Sequence, residues 1–137
     1  MIIRPDLLDA QSAPGIEVLQ LTTETAVPSS HIYMEAQIFT PDSRALVVHR
    51  SAHPHGSDMH DPEHRYLLCD LGDQGKLLPL TDEVGTTGPS ISPDGQWFYY
   101  FVNETKIGAP GRLTLKRRRL DGSQPETIVV VAGKLPG

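Results

Sequence analysis

Apolar residues in this chain come in short runs with no helical spacing. The clearest are Val18-Leu19-Gln20-Leu21, Ala45-Leu46-Val47-Val48, Tyr66-Leu67-Leu68-Cys69, Leu77-Leu78-Pro79-Leu80, Trp97-Phe98-Tyr99-Tyr100-Phe101-Val102 and Ile128-Val129-Val130-Val131. Turn formers separate them: Pro41-Asp42-Ser43, Gly72-Asp73-Gln74-Gly75, Pro93-Asp94-Gly95 and Asp121-Gly122-Ser123. Runs this short, rich in branched and aromatic residues and bounded by glycine, proline and aspartate, predict β-strands. Strands are expected near 16–22, 34–39, 45–50, 65–71, 76–80, 89–92, 97–102, 113–119 and 126–131. At most one helical turn is expected, in Pro5 to Ala13. Composition agrees, because 12 glycines and 12 prolines in 137 residues exclude a helical bundle: an interior proline costs about 3 kcal/mol and a glycine about 1.

The runs repeat. Phe39-Thr40-Pro41-Asp42-Ser43-Arg44 aligns with Ile91-Ser92-Pro93-Asp94-Gly95-Gln96 at an offset of 52, and each is followed by a strand-like run. Proline presets φ at the first central position of such a turn, and aspartate hydrogen-bonds ahead to the backbone. Leu21-Thr22 and Leu80-Thr81 precede the two corners in the same order. A repeat near 50 residues holding four strands predicts an all-β fold of β-propeller blades: two four-stranded antiparallel blades plus one extra strand. The expected division is an N-terminal extension at 1–14, a strand of a preceding or closing blade with its linker at 15–31, blade one at 32–85, blade two at 86–132 and a tail at 133–137. A closed ring takes at least about four blades. The ring is therefore incomplete, and either further blades or further copies of the chain are expected to close it.

The order Gly15-Ile16-Glu17-Val18-Leu19-Gln20-Leu21-Thr22, Tyr33, Phe39-Thr40-Pro41-Asp42, Tyr66-Leu67-Leu68-Cys69-Asp70-Leu71, Leu80-Thr81, Ser92-Pro93-Asp94-Gly95 and Tyr99-Tyr100 resembles the amino-terminal blades of oligogalacturonate lyases, a branch of the TolB-like propellers with Pro-Asp repeats. The resemblance spans residues 15–131. It implies a cytoplasmic protein of pectin breakdown, acting on oligouronides by β-elimination. There a base takes the proton alpha to the uronate carboxylate, and a divalent metal, typically Mn2+, neutralises the developing enediolate. The family's metal ligands and base lie in later blades, so the resemblance assigns no catalytic residue here. The alternative expectation is a non-catalytic TolB-like module that binds protein or glycan and closes a ring by oligomerisation.

Charge narrows the partners. A net charge of −5 argues against general nucleic-acid binding, and no run of 18 apolar residues offers a membrane-spanning helix. The start lacks the apolar core of a secretory signal, and the lone Cys69 fits a reducing compartment. Five basic residues, Arg112, Lys116, Arg117, Arg118 and Arg119, crowd eight positions. On a strand, Arg117 and Arg119 share one face, where paired guanidiniums suit a carboxylate-bearing ligand such as an oligouronide; the ordinary alternative is a solvated edge strand. All six histidines lie between 31 and 64. Within that stretch His53, His55 and His60, interleaved with Asp58, Asp61 and Glu63, are the candidate ligands for a divalent metal, against the plainer reading of an exposed polar loop. The aromatic run 97–101 is expected to be core, packed on both faces.

Overall fold

The computed structural model describes residues 1–33, 35–51, 59–105 and 110–133. They form an all-β structure of three antiparallel sheets. A two-stranded sheet pairs β1 (Ile2–Ile3) with β2 (Leu19–Gln20), and a single 3-10 turn (Pro5–Leu7) lies between them. The first four-stranded sheet runs in sequence order: β3 (Ser29–His31), β4 (Ala45–Arg50), β5 (Arg65–Asp70) and β6 (Lys76–Pro79). The second repeats that plan with β7 (Thr86–Ile91), β8 (Trp97–Asn103), β9 (Gly111–Arg119) and β10 (Glu126–Gly133). Among the described residues neither sheet closes into a ring.

The two Pro-Asp corners are built by the same bonds. In the first, Thr40 Oγ1 donates to Asp42 Oδ1 (2.7 Å) and accepts from the Ala45 amide (3.0 Å), while Asp42 Oδ1 accepts from the Arg44 amide (3.1 Å). In the second, Ser92 Oγ donates to Asp94 Oδ1 (2.5 Å) and accepts from the Trp97 amide (2.9 Å), and Asp94 Oδ1 accepts from the Gln96 amide (3.0 Å). These bonds hold both aspartyl carboxyls below the usual carboxylate range, the hydroxyl bond first and the backbone bond second. The third corner residue is left-handed in each, Ser43 at φ 57° and Gly95 at φ 69°. Glycine is required only in the second. A Cβ there would lie 2.7 Å from Pro41 Cδ, so the two corners abut and leave room for no side chain.

The core lies between the four-stranded sheets. Ala45, Val47, Tyr66 and Leu68 on one face of the first sheet pack against Phe98, Tyr100 and Val102 of the second. Leu80 fills the crossing between the sheets, and Thr81 Oγ1 takes the Tyr66 amide (2.9 Å). That explains why a Leu-Thr pair precedes the second corner. A smaller cluster, Leu46, Val48, Leu67 and Cys69, lies on the other face of the first sheet under Leu21. Burial pushes the Cys69 thiol up, which suits an inert thiol.

Three expectations change. Residues 35–38 form no strand: the edge of the first sheet is β3 at 29–31, with only a bridge from Phe39 to Leu46 beyond it. The intervening chain turns away so that Gln37 O can accept from the Ile91 amide (2.7 Å), tying the sheets together. The single extra strand near 16–22 is instead the short β1–β2 sheet. The aromatic run is fully buried on one face only: Phe98, Tyr100 and Val102 are buried, while Trp97, Tyr99 and Phe101 are half-buried.

Because the corners share one bonding scheme, Thr40→Ala and Ser92→Ala should have the same effect. Each removes a partly buried acceptor from a strand amide, a loss of about 1 kcal/mol, to be read as matching shifts in the urea midpoint.

Candidate interaction face and its charged surroundings

Alternation along β8 sends Trp97, Tyr99 and Phe101 to the face turned away from the first sheet. The β9 register sets Arg119 opposite Trp97, Arg117 opposite Tyr99 and Leu115 opposite Phe101, and β10 adds Val129 opposite Leu115. Both expected arginines therefore share this face. Their guanidinium carbons lie 4.0 Å (Arg117) and 4.1 Å (Arg119) from the Trp97 ring centroid, within cation–π range. Arg117 also bonds Glu126 (Nε to Oε2, 2.9 Å) and the Tyr99 hydroxyl (3.4 Å). Arg119 bonds Gln96 (2.7 Å) and Gln124 (3.2 Å). Aromatic residues and arginine around an apolar centre are the composition of protein-binding hot spots.

The other basic residues point elsewhere and are neutralised. Lys116 pairs with Glu83, Arg118 with Asp82 (3.7 Å) and Arg112 with Glu104 (2.9 Å). Tyr100, buried in the core, donates its hydroxyl to Glu83 (3.3 Å to each oxygen). Burial first, and the Glu83 charge second, push the Tyr100 phenol to about 12. Burial alone would raise the Glu83 carboxyl, but the hydrogen bond and charge of Lys116 hold it below the usual range. Of the five clustered cations, Arg119 alone makes no close ion pair among the described residues, although its charge lowers the Asp94 and Asp121 carboxyls. What reads in sequence as a basic patch is thus a set of local pairs.

Of the expected metal ligands, His53 and His55 lie outside the described residues, and His60 is exposed. Among the described residues no group of three metal-binding side chains comes together. Other histidines do meet. His64 is buried, its ring 5.5 Å from His49 and edge-on to Tyr66 at 5.0 Å. Asp61 is buried as well, so the described part of the histidine-rich stretch is packed and not simply a solvated loop. Ser30 Oγ lies 3.0 Å from His49 Nε2, a contact that no spacing in the sequence suggested. No carboxylate among the described residues bonds His49, so the pair lacks the orienting third member of a hydrolytic triad.

Burial lowers the His49 pKa from 6.5, with the charges of His64 and His31 adding to the effect. A base harder to protonate when folded makes the unfolded state the stronger proton binder below that value. Stability contributed by His49 is complete above pH 6.5 and declines as pH falls below it. Melting temperature should fall from pH 7 toward 5 more steeply for the wild type than for His49→Gln; equal slopes would exclude His49 as a source.

No family model matches the chain, and comparison with curated proteins and with solved structures finds no match.

Proposed function

We propose that the chain supplies two neighbouring blades of a β-propeller and acts as a non-catalytic assembly module, whose Trp97–Tyr99–Phe101 face receives a sheet from another copy. One observation carries this reading. With the corners aligned at their offset of 52, Ala45 and Val47 correspond to Trp97 and Tyr99, and Ala45 and Val47 belong to the face that the first sheet buries against the second. The half-buried face of the second sheet is thus the repeat equivalent of a sheet-to-sheet contact. Head-to-tail use of one face after another is how heterologous assemblies grow and rings close.

Light scattering should give a mass that is a multiple of 15.0 kDa. Phe101→Glu should return the protein to a monomer with its circular dichroism unchanged. A wild-type monomer at every accessible concentration would overturn assembly by copies.

A second reading follows the lyase resemblance. Arg117 and Arg119, side by side on that same face, are its foothold for an oligouronide, with Mn2+ supplying charge neutralisation. If it holds, unsaturated digalacturonate with Mn2+ is consumed with formation of keto-uronate products. No turnover by monomer or oligomer removes the enzyme reading for this chain.

A further inference from the structure

A second site lies on the opposite flank of the molecule, where β4 ends and β5 begins. Arg50 and Arg65 are direct cross-strand partners, an arrangement that is destabilising unless something negative answers it. Arg50 is held in place. Its side chain is 14% exposed, Nη1 bonds Glu24 (2.7 Å) and Nε bonds Ser29 Oγ (2.9 Å). Arg65 is not answered in that way: Nη1 bonds the His64 carbonyl (2.7 Å), and no carboxylate lies within ion-pair distance among the described residues.

Both arginines line a cleft of about 460 Å³ together with Ala26, Val27, Ser51, Glu63 and Leu67. That volume falls in the range of small-molecule sites, which pair apolar walls with a few fixed polar groups. Two features define what fits. Two guanidiniums face one lining carboxylate, Glu63, and Glu24 already neutralises Arg50. The formal charges of the lining and of Glu24 thus balance. The opening for a single anionic group is Arg65 itself, whose guanidinium forms no ion pair among the described residues while Glu63 is exposed. Ala26, Val27 and Leu67 supply apolar wall, which favours a hydrocarbon body over a sugar ring. A planar guanidinium with uncommitted N–H groups matches a carboxylate bidentately.

We propose that this cleft binds a small organic monocarboxylate, forked onto Arg65 with its apolar body against Val27 and Leu67. None of these residues belongs to the Trp97 face, but Arg50, Arg65 and Leu67 lie on the outer face of the first sheet, which head-to-tail assembly would present to it. The titration is therefore also run on the Phe101→Glu chain, where a loss of binding cannot come from assembly. An amide NMR titration of the full chain tests it with four probes: hexanoate, hexan-1-ol, glucuronate and inorganic phosphate. Hexanoate should shift the Val27, Ser51 and Arg65 signals saturably, more tightly than the other three. Arg65→Gln should weaken hexanoate by about tenfold, the loss of one charge-assisted fork. Equal binding of hexan-1-ol would reduce the cleft to an apolar crevice. Tighter binding of phosphate would make it an unspecific cationic spot, and tighter binding of glucuronate would make the apolar wall irrelevant. Any of these overturns the proposal, as does absence of hexanoate shifts or unchanged affinity in Arg65→Gln. Should Arg65→Gln lose its dispersed spectrum, Arg65→Lys decides by the same criterion, since it keeps the charge and removes the fork.

Discussion

The contact between the two four-stranded sheets governs the rest of the molecule. Phe98 and Tyr100 stack with ring centroids 5.5 Å apart, and Tyr66 leans on Phe98 at 6.0 Å. A four-stranded sheet with one apolar face has no core of its own, and removing a buried aromatic ring typically costs about 3–5 kcal/mol. Burying Tyr100 in that contact brings an obligation, because a phenol enclosed without a partner is penalised. Glu83 meets it, and Lys116 in turn compensates Glu83. The packing of one ring thus fixes where part of the positive charge on β9 goes, and so removes it from any role in binding.

Much of this was legible beforehand. The short apolar runs and the turn formers between them placed β4, β5, β6, β8, β9 and β10 within a few residues. Local chemistry explains that success: a Thr or Ser, a proline and an aspartate suffice to close the corner. The failures share a different origin. Residues 35–38 are expected in a strand, yet Glu35 and Ala36 favour strands poorly and the Gln37 carbonyl is taken by the second sheet. The basic run looked exposed because its acidic partners, Asp82, Glu83 and Glu126, come from other segments. Arg50 and Arg65 do not read as a pair in sequence, because only the register of β4 with β5 brings them together.

The repeat is also asymmetric in an informative way. Gly95 has the Pro41 ring against it, whereas Ser43 occupies the same backbone conformation with a side chain. The need for glycine arises from the neighbouring corner and not from the turn itself. Repetition of a sequence motif therefore does not mean repetition of constraint: one copy is shaped by its own turn, the other by its neighbour as well.

The outer strand β10 has a colloidal consequence. Ile128, Val129, Val130 and Val131 are each 42–47% exposed, and no charge or proline interrupts residues 127–133. Strands of that kind usually carry a lysine or a kink that discourages edge-to-edge pairing. Here a register shift between Thr127 and Val129 interrupts the strand, and long-range repulsion from a net charge of −5 adds a restraint that salt screens within about 8 Å at physiological strength. Ionic strength thus bears directly on how long separate molecules stay separate.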